Sequence, residues 1–259
     1  MIKNFSYSQL NVFTMCQKSW EFRYLDRIPT PINGEMLRGD AYHKALAHAY
    51  ANVVIYKEVP SIDEVLQVYS DVWDKRLKDR IIIDEGEEVY IPSIDFKGKD
   101  PGKLKDDGIK LVKIYHNTIL PKVIPSEVEV RRTIIYQGIP IISYIDLIDW
   151  SGMIIDHKVK ARMFSEDELT KDLQSSFYGL VLGKDEFNFN YHAALTVKEP
   201  YIKIVPVKRD KNDINWVGRL IVAAWRQIEA GLFSPSSAGW WCAPEQCPYW
   251  GYCRMPKSF

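Results

Sequence analysis

Asp146 lies in the run Ser143-Tyr144-Ile145-Asp146-Leu147-Ile148-Asp149, and Asp156 and Lys158 lie in Ile154-Ile155-Asp156-His157-Lys158. Both runs read as β-strands, and Ser151-Gly152 between them marks a hairpin turn. Alternate residues of a strand share a face, so Asp156 and Lys158 point the same way. Ile154 and Ile155 make this strand apolar on both faces and therefore central. Burying the two ions there costs several kcal/mol each unless they are paired or bound to a metal. The hairpin can set Asp146 beside Asp156, and a divalent cation relieves the repulsion of adjacent carboxylates. Hard oxygen ligands with an open position suit Mg²⁺ or Mn²⁺. A neighbouring lysine can orient a water or stabilise charge on a phosphate. The same residues also suit a structural ion pair on a half-exposed strand.

The second group is four cysteines, one early (Cys16) and three late (Cys242, Cys247 and Cys253). Four thiolates suit zinc or an iron–sulfur cluster. Two disulfides are the remaining reading, disfavoured inside a cell. Residues 1–10 lack a charged start followed by an apolar run, and no stretch approaches the ~18 apolar residues of a membrane span. The expected location is the cytoplasm, that of the host if the source is viral, with no membrane partner.

The positioning elements follow from periodicity. Leu10, Phe13, Cys16, Trp20 and Tyr24 predict one helix from Ser8 to Leu25. Further helices are expected over Glu35–Tyr56, Ile62–Ile82 and Ile109–Leu120. Residues 84–108, rich in Gly, Asp and Lys, read as a long surface loop. Strands are expected at 127–136, 139–150 and 153–160. A helix follows from Ser165 to Leu182, then strands at 189–197 and 202–207 and a helix over 213–230. The expected organisation is one α/β domain over 1–259. It comprises a helical lobe (1–124), a catalytic core (125–232) and a Cys-rich tail (233–259) packing with the N-terminal helix.

At 259 residues, 46% hydrophobic and 26% charged, the composition excludes a disordered, collagen-like or disulfide-dense chain. Thirty-four basic and 34 acidic residues exclude a globally basic nucleic-acid binder but not a local patch. Residues 97–113 and 196–211 each carry a local excess of three positive charges.

Several spaced elements together resemble the PD-(D/E)XK nuclease superfamily, most closely its RecB-like exonuclease branch, which includes CRISPR-associated adaptation nucleases and phage RecB-like exonucleases. They are Ser6-x-Ser8-x-Leu10 leading into Cys16, Gly39-x-x-x-His43, Asp146 with Asp156-His157-Lys158, Gln174-x-x-x-Tyr178, and the division of cysteines into one early and three late. The resemblance implies a restriction-endonuclease-like mixed central sheet flanked by helices. It implies Mg²⁺ or Mn²⁺ held by His43, Asp146, Asp156 and the His157 backbone carbonyl, with Glu129 or Glu127 as a further acid. Lys158 would position or activate water, and Gln174 and Tyr178, on one helix face, would line the site and hold DNA. Histidine between Asp156 and Lys158 departs from the usual pattern, and its ring could add pH dependence. A 4Fe–4S cluster on the four cysteines is implied. The four-residue gap between Cys242 and Cys247 departs from the family's usual two and leaves Zn²⁺ as the alternative.

The implied function is a metal-dependent DNA exonuclease acting on single strands or DNA ends, without strong sequence specificity, in recombination, repair, phage DNA processing or CRISPR adaptation. The alternative is a non-catalytic DNA-binding or assembly subunit with a structural zinc or iron–sulfur site.

Overall fold

The protein, here a computed structural model, is described for residues 2–79, 81–84, 87–90 and 93–254. Residue 80 of the expected third helix, residues 85, 86, 91 and 92 of the expected loop, and residues 1 and 255–259 at the ends lie outside the described residues.

The expected first helix is two, α1 (Tyr7–Met15) and α2 (Gln17–Tyr24). Cys16 breaks it with extended backbone, φ −160° and ψ 111°. It closes α1 by donating its N–H to Val12 O and opens α2 by accepting from Trp20 N. Its sulfur receives the N–H of Ser236 from the tail at 3.4 Å. The apolar period runs through the break, which hid it. A short strand β1 (Ile32–Asn33) leads into α3 (Gly34–Tyr56), capped by the Asn33 side chain.

Helix α4 (Ile62–Lys78) stops before the expected Ile82. The run Ile81–Ile83 is β-branched and forms β2 (Ile81–Asp84), antiparallel to β3 (Glu87–Tyr90). Strand β4 (Ile94–Asp95) pairs in parallel with β1. Helix α5 (Pro101–Thr118) then begins well inside the segment expected as loop. Asp100 caps it, accepting Lys103 N at 2.6 Å, and Pro101 opens its first turn. Gly108 suggested a loop, but it is a point of close approach. A Cβ there would lie 1.9 Å from Tyr69 Oη.

After a 3-10 turn come β5 (Pro125–Tyr136), β6 (Ile139–Asp149) and β7 (Ile154–Lys160). The expected helix over 165–182 is again two, α6 (Glu166–Lys171) and α7 (Leu173–Val181). Asp172 is extended between them, and its carboxylate accepts from the N–H groups of Gln174 and Ser175. Strands β8 (Phe187–Leu195) and β9 (Tyr201–Arg209), helix α8 (Lys211–Glu229) and a short α9 (Trp250–Arg254) complete the order. The central sheet runs β5-β6-β7-β8-β9, antiparallel except for β7 with β8, which α6 and α7 connect. This is the expected mixed α/β sheet flanked by helices, with a Cys-rich C-terminal region.

Each face of the sheet carries its own core. Phe5, Phe13, Trp20, Phe177, Ile221 and Trp225 fill one, uniting α1, α2, α7 and α8. Tyr42, Tyr50, Tyr69, Trp73 and Tyr115 of α3, α4 and α5 fill the other. The segment expected as one helical lobe is therefore split across the sheet. Its first two helices pack with the catalytic core and the tail, where Trp20 stacks on Phe233 at 5.6 Å.

The α4–α5 contact at Gly108 yields a test. Gly108→Ala should destabilise the protein by about 1–3 kcal/mol through overpacking against Tyr69. A lowered urea midpoint with unchanged slope is the expected result.

Candidate active site

β6 and β7 pair at only two positions, Leu147 with Ile155 and Ile148 with Ile154, and then diverge. β5 occupies the other edge of β6 along nearly its whole length. The backbone groups freed at the fork need partners, because unpaired buried amides and carbonyls are costly. Asp146 Oδ2 accepts the N–H of His157 at 2.8 Å. Tyr178 Oη donates to Tyr144 O at 2.9 Å. Farther along, Phe5 N donates to Pro140 O at 2.8 Å, and Phe5 O accepts from Ile142 N at 3.1 Å.

The expected site residues meet at this fork. Gln174 Nε2 donates to Asp156 Oδ1 at 2.7 Å and to Tyr178 Oη at 2.8 Å. Lys158 Nζ lies 2.6 Å from Asp156 Oδ2. His43, carried by α3 from the other side of the sheet, places Nδ1 3.2 Å from Asp146 Oδ2. Glu129 stands apart from these contacts. Its backbone is left-handed, with φ 51°, and its carboxylate pairs with Lys44 at 2.8 Å. Glu127 pairs with Arg132 at 2.6 Å.

The two aspartates are electrostatically unequal. Burial, aided by the charge of Asp146 and opposed by Lys158, pushes Asp156 up to about 6. Burial would also raise Asp146, but the charge and hydrogen bond of His43, with His157 and Lys158, outweigh it and hold Asp146 below the usual carboxylate range. Burial would lower Lys158, but Asp156 and Asp146 raise it. Burial holds His157 well below its ordinary value, so its ring stays neutral near pH 7.

The His157 ring belongs instead to a buried layer beneath the site. It stacks on Tyr50 at 6.1 Å and meets Tyr115 edge-on at 5.3 Å. Tyr50 Oη, Tyr115 Oη and His192 Nδ1 form a chain with steps of 2.8 and 2.7 Å. Sequence reasoning missed these residues because each sits alone in a different element. It also missed Arg209, whose guanidinium donates to Leu169 O and Asp172 O and lies 3.9 Å from Asp172 Oδ2. Arg209 thereby fixes the α6–α7 break that aims Gln174 at Asp156. The capping pattern of Asp172 followed by Ser175 was the available signal.

Two carboxylates, an imidazole and a strand carbonyl have the donor chemistry of a hard divalent cation. The raised Asp156 marks a site where more positive charge is favourable. Among the described residues, no three His, Cys, Asp or Glu side chains form a ready-made ligand group. Lys158 and His43 face the two carboxylates instead. The four cysteines, all unbridged, line one small cavity with Phe22, Tyr249 and Trp250. Burial would raise the Cys16 thiol, but hydrogen bonds from Ser236, Ser19 and Lys18 outweigh it and lower Cys16. Burial, with the other three thiols near it, raises Cys253. The four thiols and the aromatic walls have the chemistry of a thiolate-bound centre, although among the described residues the sulfurs too are not drawn up as a ready-made ligand group.

Comparison with known proteins identifies the family and the fold. The family model of the PD-(D/E)XK nuclease superfamily matches residues 4–254. A crystal structure from Eubacterium rectale, provisionally named an exonuclease, superposes with a TM-score of 0.60 at 16% identity, covering 98% of this chain and 90% of that one. That likeness is one of fold. The structure named SSO0001, at 14% identity over 97% of this chain and 96% of its own, has a TM-score of only 0.36. No curated protein matches the sequence. Among the described residues, no helix is long and apolar enough to cross a membrane.

The inequality of the aspartates has a pH signature. Asp156 is raised, so in metal-free protein its contribution to stability is full below its unfolded value near pH 4 and lost as pH passes about 6. Asp146 is lowered, so its contribution is present above its unfolded value and lost on acidification. A divalent cation held by Asp156 and His43 would have to displace a proton from each, because Asp146 outweighs burial and raises His43 too. Mn²⁺ affinity should therefore fall more than tenfold per pH unit below about 6. Calorimetry at pH 5 and 7 in buffers of different ionisation enthalpy reads both the affinity and the released proton.

Proposed function

The chain belongs to the PD-(D/E)XK nuclease superfamily, and from that premise we propose that it is a metal-dependent DNA exonuclease acting on single strands or DNA ends. The observation that carries the reading is the Asp156 carboxylate. It is buried at the mouth of a strand fork and gripped by Gln174 and Lys158, with Asp146 and His43 alongside. A structural ion pair would not need two further polar side chains from a separate helix to fix its acid.

His43, Asp146, Asp156 and the His157 carbonyl would hold Mg²⁺ or Mn²⁺, which when bound polarises the scissile phosphate and acidifies a water. The chain's own groups do the positioning. Gln174 and Tyr178 fix Oδ1 of Asp156, which leaves Oδ2 turned toward Lys158. Lys158 stays protonated and partly open to solvent, so its ammonium can orient the attacking water or stabilise charge developing on the phosphate. His157 lends only its backbone, because its ring is packed among Tyr50, Tyr115 and His192. Weak sequence specificity follows if the chain grips DNA through phosphates, since the sequence carries no motif of the base-reading kind.

We further propose that Cys16, Cys242, Cys247 and Cys253 bind a structural 4Fe–4S cluster, with Zn²⁺ as the alternative. Their shared cavity at the meeting of α2 with the tail supports one centre.

Lys158→Ala and Asp156→Ala should each lower cleavage of end-labelled DNA by about a hundredfold or more. Wild-type activity retained in both would sink the assignment. A blocked 5′ end on parallel substrates separates exonucleolytic from internal cutting. Cys247→Ala should bleach the brown iron–sulfur absorbance and lower stability by up to about 5 kcal/mol, the constraint released when a long loop opens. Colourless anaerobic protein carrying zinc would instead assign the four thiols to zinc.

A further inference from the structure

The two basic segments evident in the sequence are partly answered within the fold. In residues 97–113, Lys99 pairs with Glu35, Lys105 with Asp74 and Lys110 with Asp107. In residues 196–211, Lys211 pairs with Asp185, and Arg209 is buried at the α6–α7 break. A different row of cations starts at the active site itself. Asp156, Lys158 and Lys160 alternate along β7 and so share one face, and Arg162 follows two residues beyond.

This row is held in place. The rings of Tyr191 and Phe164 stack at 4.8 Å. Lys158 Nζ lies 5.8 Å from the Tyr191 ring centroid, and Lys160 Nζ lies 3.8 Å from that of Phe164. Two ammonium groups therefore sit over one aromatic platform. Lys158 is engaged by Asp156, but Lys160 and Arg162 share a single carboxylate, Glu168. Arg162 grips it through two bonds of 2.9 and 3.0 Å, and Lys160 Nζ lies 3.9 Å away. The two-pronged Arg162 contact is the geometry by which arginine also grips a phosphate. Arg162 is exposed while Lys160 and Glu168 are half-buried, so the Arg162–Glu168 contact is a surface ion pair. Such surface pairs are worth only about 0–1 kcal/mol, so a phosphate can displace the carboxylate at little cost. Alternate strand residues recur at about 6.6 Å, close to the repeat of phosphates along an extended nucleic-acid backbone.

We propose that Lys160 and Arg162 form a second phosphate subsite, holding the phosphate next to the scissile one, with Glu168 as its counter-ion in the DNA-free protein. This rests on the nuclease reading above. Glu168 is well suited to the exchange because it is also tied to the N–H of Ser165 in the capping box of α6, so it stays in place when the cations leave it. The subsite sits on the strand that carries Lys158, so it sets the register of the backbone relative to the catalytic lysine.

The test is fluorescence anisotropy of a labelled oligothymidylate across a salt series, with Ca²⁺ in place of Mg²⁺ to hold off cleavage. Lys160→Met keeps the stem over Phe164 and removes the charge. Arg162→Ala tests the exposed partner. Each should weaken binding and reduce the log–log salt slope by about 0.7. Glu168→Gln keeps the capping box and should tighten binding about two- to fivefold. If wild-type protein binds and cleaves DNA while Lys160→Met and Arg162→Ala keep its affinity and slope, the subsite is wrong and the nuclease reading stands. If wild-type protein neither binds nor cleaves DNA with Mg²⁺ or Mn²⁺, both fall.

Discussion

The parting of β6 from β7 is the constraint on which the rest of the site depends. A sheet that stayed paired would give the backbone groups of Tyr144 and His157 to the ladder. Parted strands must find other partners for them, and the partners are Tyr178 and Asp146. Catalytic candidates are thus also the groups that make the opening tolerable. The N-terminal segment closes the wider end of the same gap, with Phe5 fully buried and hydrogen-bonded across Pro140 and Ile142. Loss of any of these contacts leaves a buried donor or acceptor unmet, a penalty of about 1–3 kcal/mol.

Two helix breaks serve the aspartate cluster and the cysteine cluster in the same way. At Cys16 an extended residue ends one helix and begins the next, and this turns its sulfur toward the tail. At Asp172 an extended residue caps α7 and aims its first turn at Asp156. Arg209 secures the second break from β9 with donors to two carbonyls. In each case the break costs continuous helix and places a side chain that a straight helix would point elsewhere.

The charge of Asp156 opposes the stability of the fold, whereas those of Asp146 and Lys158 favour it. Burial, aided by the charge of Asp146, raises Asp156 to about 6, so its ionised form is less favourable in the fold than in the open chain. The aromatic layer under His157 offsets this mechanically by packing the middle of β7 against α3 and α5. A buried carboxylate that costs the fold stability is what a trade between activity and stability would look like at the proposed site.

The sequence by itself determined the strand pattern, the positions of Asp146, Asp156 and Lys158, the helical spacing of Gln174 and Tyr178, and the class of fold. These are local properties, because the two-residue strand period and the four-residue helix step are written in adjacent residues. It misread the breaks at Cys16 and Asp172, since the apolar period continues through both. It misread the start of α5, since a glycine that serves close packing looks the same as one that serves a turn. Only the tertiary structure decided that His43 crosses to Asp146, that Glu129 turns to Lys44, that His157 is buried, and that Lys160 and Arg162 share Glu168. Each of those facts depends on which distant elements touch, and burial, charge coupling and hydrogen-bond choice exist only once the chain has closed on itself.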